Sequence, residues 1–170
     1  MKIPAARIFF CFLTVCFISL SAIADEREIY TYRDPIFPKK RLSINVSERF
    51  FQIAGVAIPM SICGNDEDYI CVVSDGFYFH IPKSGELSNR EWNVQGIRYT
   101  SENKEEVSIW GKLHSVSRIS GVSKKMHIIY LYSKDSGLVG FSFVDKKSGA
   151  KGTYLLDGLC GFGAQGGQVC

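Results

Sequence analysis

The chain has 170 residues, 46% of them hydrophobic, with 20 Lys and Arg against 17 Asp and Glu. That length suits one domain with a sizeable core. The near balance of charge leaves no electrostatic case for a nucleic-acid partner.

The first 24 residues carry the three-part pattern of a secretory signal peptide. Lys2 and Arg7 form a basic start, Ile8 to Leu20 is apolar but for Thr14 and Ser19, and small residues stand at Ala22 and Ala24. Cleavage is expected after Ala24. The apolar run is shorter than the roughly 20 residues a spanning helix needs, and nothing later is long and apolar enough for a second span. We therefore expect a periplasmic or secreted protein with no stable membrane insertion after cleavage. Removal of Lys2 and Arg7 leaves 18 basic residues against 17 acidic ones.

Asp25 to Arg41, with Pro35, Pro38 and Lys39-Lys40-Arg41, reads as an irregular lead-in to a single β domain over 42–170. Leu42, Ile44 and Val46 alternate with polar residues as in a half-buried strand. Phe50 to Ile58 is apolar and stops at Pro59, which fits a strand or a short helix, with Gly55, Val56 and Ile58 favouring the strand. Tyr69–Val73 and Phe77–Ile81 flank Asp75-Gly76, a strong hairpin signal. After a loop over Pro82–Arg90, strands are expected at Glu91–Thr100 and Val107–Ser117 around a polar turn, Ser101–Glu106. Three more follow at Met126–Tyr132, Leu138–Val144 and Thr153–Leu159, separated by turns at Ser133–Gly137 and Asp145–Gly152. Eight or nine short strands with little helix imply an all-β fold: an antiparallel meander forming a small barrel or sandwich.

Cys11 and Cys16 leave with the signal peptide, so Cys63, Cys71, Cys160 and Cys170 remain. In an oxidising compartment an even count reads as disulfides. Cys63–Cys71 and Cys160–Cys170 are the favoured pairs, and Cys71–Cys160 is the main competitor. The first pair brackets Asp66, Glu67 and Asp68. Those acids lack the alternating positions, central Gly and distal Glu of a calcium loop. They read as a rigid acidic tip suited to a basic partner surface.

His80, His114 and His127 share no metal-ligand spacing, and the sequence contains no nucleophile elbow, zincin or phosphate-loop motif. We expect no catalytic residue, metal or cofactor, and a protein partner instead.

Gly96-Ile97-Arg98-Tyr99-Thr100, followed by Trp110-Gly111-Lys112, resembles the signature of periplasmic and membrane-bound inhibitors of C-type lysozyme. In that family a serine and a lysine of the signature reach into the lysozyme cleft, on a small antiparallel β-barrel. Here Gln95 stands at the serine position, and Gly and Lys are inverted at Gly111-Lys112. By size, export and absent catalytic motifs the chain also resembles bacterial immunity proteins, small cysteine-stapled β proteins that block cell-wall-degrading toxins. The resemblance implies an inhibitor or immunity protein that occludes the cleft of a peptidoglycan hydrolase. Its expected contacts are Asp66, Glu67 and Asp68 on the stapled tip and a second patch of Arg98, Tyr99, Trp110 and Lys112. The alternative is a secreted sugar- or receptor-binding module, such as a toxin's binding subunit.

Overall fold

A computed structural model describes residues 28–64, 67–84 and 86–165. The expected signal peptide, Asp66 and Cys170 lie outside the described residues. Among those described there is no helix. Twelve antiparallel strands form a nearly closed, barrel-shaped sheet. They are β1 Ile29–Arg33, β2 Arg41–Asn45, β3 Phe50–Ile53, β4 Val56–Ile62, β5 Tyr69–Ser74 and β6 Phe77–Pro82, then β7 Glu91–Val94, β8 Ile97–Ile109, β9 Lys112–Val122, β10 Met126–Ser133, β11 Gly137–Asp145 and β12 Lys151–Leu156.

Consecutive strands pair in a plain meander, and β1 lies beside β12, joining the two halves. The sheet edges are therefore β6 and β7, which follow each other in the chain. No backbone ladder joins them among the described residues; side chains close the seam. The Trp92 indole donates to the His80 carbonyl at 3.1 Å. The Tyr99 hydroxyl donates to the Tyr78 carbonyl at 3.2 Å, and the Tyr130 hydroxyl donates to that same oxygen. Carbonyls that would template another strand are thus occupied, which blunts the edge.

Several expectations need correction. The lead-in is not irregular throughout: it contains β1, whose Tyr32 is fully buried. Phe50–Ile58 is a hairpin, not one strand or a helix, and it turns at Ala54-Gly55. Pro59 lies within the second strand of that hairpin, as the last residue paired to β3 before β5 takes over at Met60. The expected turn at Ser101–Glu106 is continuous strand in β8, interrupted only by a bulge between Ser101 and Lys104. The turns lie instead at Gln95-Gly96 and Trp110-Gly111. In all three tight turns both residues have positive φ: Ala54 50° and Gly55 82°, Gln95 51° and Gly96 75°, Trp110 50° and Gly111 82°. This left-handed pair is the hairpin turn whose twist matches the flanking strands.

The interior is filled by rings. Phe77 stacks on Phe51 at 4.9 Å and meets Phe141 edge-on at 5.0 Å, while Phe79 meets Tyr130 at 5.3 Å. Burying each such side chain contributes about 1.5–3 kcal/mol. Four tyrosines are essentially inaccessible: Tyr32, Tyr99, Tyr130 and Tyr132. Every one of their hydroxyls donates to a backbone carbonyl, which removes the cost of burying an unpaired hydroxyl.

Connections of a meander alternate between its two ends. One end holds the 46–49 turn, the stapled 63–68 tip, the 83–90 loop, the Trp110-Gly111 turn, the 134–136 turn and the residues after β12. We call it the staple end. The other holds 34–40, 54–55, 75–76, 95–96, 123–125 and 146–150, and we call it the turn end.

Candidate functional site

The chemistry-bearing side chains that sequence singled out fall mostly at the staple end. Cys63 and Cys71 form a disulfide with a Cα–Cα distance of 5.1 Å. That pairing excludes the Cys71–Cys160 alternative. Cys160 is also disulfide-bonded, and Cys170, its expected partner, lies outside the described residues. Glu67 is exposed, and its carboxylate accepts the Gly64 N–H at 3.1 Å. Asp68 is exposed, and its backbone carbonyl accepts the Lys83 N–H at 2.8 Å. Both acids therefore sit on a tip held by a covalent link and two backbone contacts. Glu67 lies within 4.8 Å of both sulfurs, but bonded sulfur lacks the thiolate that binds metal.

The β8–β9 hairpin carries the other group. Residues 112–116 of β9 extend beyond the last ladder partner on β10, with His114 and Val116 still buried. The hairpin tip reaches across to β12 and β1. The Trp110 indole N–H donates to the Leu156 carbonyl at 2.8 Å, and the Arg33 guanidinium lies 4.2 Å from the ring centroid. Arg33 in turn pairs with Asp157 at 3.3 Å. Trp110 remains 48% exposed, and Leu113, three residues on, is 68% exposed. The Lys112 ammonium reaches the carbonyl of Leu159, which is itself 66% exposed.

Arg98 and Tyr99 do not join this patch. β8 places roughly 40 Å of chain between them and Trp110. Arg98 is an exposed residue paired with Glu91 at 2.8 Å. Tyr99 is fully buried, stacked on Trp92 at 5.4 Å, and closes the β6 edge. Side chains alternate across a strand, so Arg98 outward forces Tyr99 inward. Gln95, at the serine position of the inhibitor signature, lies in a turn at the opposite end from Lys112.

Sequence reasoning missed the segment after β12. Residues 157–165 cross the staple end as a strap. Gly161 N–H donates to the Ser136 carbonyl at 2.7 Å, Leu138 N–H to Phe162 carbonyl at 2.9 Å, and Gln165 N–H to Lys134 carbonyl at 2.7 Å. Phe162 enters the core against Tyr30 and Phe79. The glycines permit the approach: a Cβ on Gly161 would sit 1.9 Å from the Leu138 carbonyl oxygen, and one on Gly163 would sit 2.8 Å from the Ile70 side chain. The strap thus runs from Lys112 near Leu159 to the stapled strand β5 near Gly163. The one signal in the sequence was the glycine density from Gly158 onward.

Between the 83–90 loop, the β8–β9 hairpin and the 134–136 turn lies an open cleft of roughly 240 Å³. Glu86, Asp135, Lys104, Lys134, Ser115 and Ser117 are among the residues that line it. Both signs of charge and paired hydroxyls suit a polar peptide segment better than a lone anion.

Two histidines belong to this end. His80 is 1% exposed; its Nδ1 meets the Tyr99 hydroxyl at 3.0 Å and its buried Nε2 has no partner. Tyr99 already donates to Tyr78, so His80 is the donor to Tyr99 and its Nε2 carries a lone pair. Burial pushes its pKa down, opposed by the nearby Glu67 carboxylate. His114 is buried at 5%, close to Ser136, and burial followed by Lys112 lowers its pKa too.

No protein-family model matches the chain, and neither a curated protein nor a solved structure is detectably similar to it.

Proposed function

We propose that this chain is an exported inhibitor or immunity protein that binds a peptidoglycan hydrolase and occludes its cleft, with the staple end as the docking face. The observation that supports this most is Trp110. A large aromatic stands half exposed on a projecting hairpin, yet it is held by Arg33 and by the Leu156 carbonyl. Interfaces draw most of their energy from a few aromatic and arginine anchors. Fixing such an anchor beforehand removes ordering cost from association. Exposed Lys112 and Leu113 follow on the same hairpin, Lys112 reaches the Leu159 carbonyl, and Glu67 and Asp68 offer a second, acidic contact. Of the inhibitor-like signature, only Trp110 and Lys112 enter this reading.

The test is inhibition. Protein titrated against a C-type lysozyme and a panel of cell-wall amidases and glycosidases should abolish one activity at near-equimolar ratio. Trp110→Ala should weaken that inhibition by about 30-fold, the scale of a hot-spot residue. Full activity of every hydrolase, together with no hydrolase captured from periplasmic extract, would overturn the proposal. The exposed part of the indole could also stack on a sugar ring. Saturable binding on a glycan array, lost with Trp110→Ala, would move the assignment to a secreted sugar-binding module.

A further inference from the structure

The turn end carries a feature that the docking face does not use. Three turns adjacent around the rim collect the cations. The β1–β2 turn contributes Lys39, Lys40 and Arg41, all exposed. The β11–β12 connection contributes exposed Lys146, Lys147 and the following Lys151. The β9–β10 turn contributes exposed Lys124 and Lys125. The last two touch: Lys146 donates its N–H to the Lys125 carbonyl at 2.8 Å and its ammonium to the Ser123 carbonyl at 2.6 Å.

The acids at this end do not cancel them. Asp34 is 9% exposed, and its carboxylate caps the N–H groups of Ile36 and Phe37. Asp145 caps Lys147 and Ser148 in the same way. Only Asp75 is fully exposed among the acids of these turns. A chain expected to be nearly neutral once exported therefore places seven lysines and Arg41, itself 3.9 Å from Asp157, against three acids at one end, two of the acids directed into their own turns.

An apolar point stands among the cations. Ile36 is 76% exposed and Phe37 55% exposed, between Pro35 and Pro38. The Lys40 ammonium lies 4.5 Å from the Phe37 ring centroid. A soluble polyanion would be met by cations alone. Exposed apolar side chains ringed by lysines fit a bilayer interface, where the apolar groups enter the acyl boundary and the lysines meet lipid phosphates.

We propose that the turn end docks peripherally on an anionic membrane surface, with Ile36 and Phe37 dipping below the headgroups and the lysines of the three turns on the phosphates. The staple end then points away from the bilayer. This rests on observations separate from those behind the hydrolase reading, and either can fail alone.

Vesicle co-sedimentation tests it, using protein in the form the cell accumulates. Vesicles with phosphatidylglycerol should bind it, and pure phosphatidylcholine vesicles should not. Each lysine near an anionic surface contributes about a fivefold factor. The triple variant Lys124→Gln, Lys125→Gln, Lys147→Gln should therefore reduce partitioning about 100-fold. Phe37→Ser should reduce it about tenfold, while Lys112→Gln at the other end leaves it unchanged. All three variants should melt with the parent, since these side chains are exposed. Equal binding to both vesicle types, or an unaffected triple variant, would overturn the proposal. So would binding to soluble polyphosphate without binding to vesicles, which would identify a polyanion site.

Discussion

The two ends of this sheet are built from the same strands, yet they are organised in opposite ways. At the turn end most connections are short, several of them left-handed Gly turns, and the hairpins close on themselves apart from the bonds of Lys146 to Lys125 and Ser123. At the staple end the connections are tied to one another: a disulfide holds 63–71, the strap is bonded to the 134–136 turn, and Trp110 is bonded to β12. One end is mostly a set of local solutions and the other is a network. A surface that must present fixed aromatic and charged anchors needs the network. A surface that meets a fluid layer of charges needs only charge and an apolar point.

The same substitution placed at each end should expose this difference most strongly. Gly161→Ala puts a methyl group onto the Leu138 carbonyl and should cost about 3 kcal/mol or more, because the strap must lift. Gly55→Ala meets nothing within 4 Å and suffers only its φ of +82°, for about 1 kcal/mol. Urea unfolding of both variants measures the contrast, and equal losses would mean the strap contributes little. Next in size is the staple itself. Replacing Cys63 and Cys71 by serine reopens a short loop and should lower stability by about 2.5 kcal/mol on the chain-entropy account.

Alkaline titration examines the core that both ends share. Burial raises the pKa of Tyr32, Tyr99 and Tyr130 well above the usual value, and that of Tyr132 to about 12. Raised folded values mean that the stabilisation is fully present below the unfolded tyrosine value near pH 10. It is lost as pH climbs from there towards 12. Absorbance at 295 nm should show exposed tyrosines ionising first, and the buried four only as the fold melts.

Mild acid acts on the staple end before the turn end, where hydrogen bonds hold the capping carboxylates of Asp34 and Asp145 below the usual carboxylate range. His80 has a folded pKa below its ordinary value, so its contribution is present above the unfolded value near 6.5 and is lost as pH falls below it. Melting temperature should drop between pH 7 and 5. A His80→Gln variant, which cannot take up the proton, should flatten that dependence. The smallest effect is expected at an exposed ion pair: Glu91→Gln breaks the contact with Arg98 and should leave the melting temperature unchanged within error.

How much could be read beforehand varied with the distance over which each feature is decided. The β5–β6 hairpin was legible because Asp75-Gly76 is a standard turn pair between alternating runs. Ala54-Gly55, Gln95-Gly96 and Trp110-Gly111 make comparable turns, but Ala, Gln and Trp are rarely found at positive φ. They hold it because the flanking ladders leave no other path. Missing the turn at Gln95 merged β7 with β8, and the polar run from Ser101 to Glu106 then looked like the turn. Part of the expected patch failed with it, because Tyr99 had been placed on a surface that strand alternation reserves for Arg98. Trp110 and Lys112 stayed together because two residues span one turn.

What the amino-acid order determined by itself was local: strand periodicity and the all-β class, with Cys63–Cys71 favoured among pairings that only the structure decided. Only the tertiary structure decided that β1 lies beside β12, that β6 and β7 form the seam, and that glycines near the C-terminus lie flat against β11. It also decided that lysines scattered over more than a hundred positions share one end. The physical reason is that pairing between remote strands depends on how whole faces pack and whether every buried hydroxyl and amide finds a partner. No stretch of a few residues carries that information.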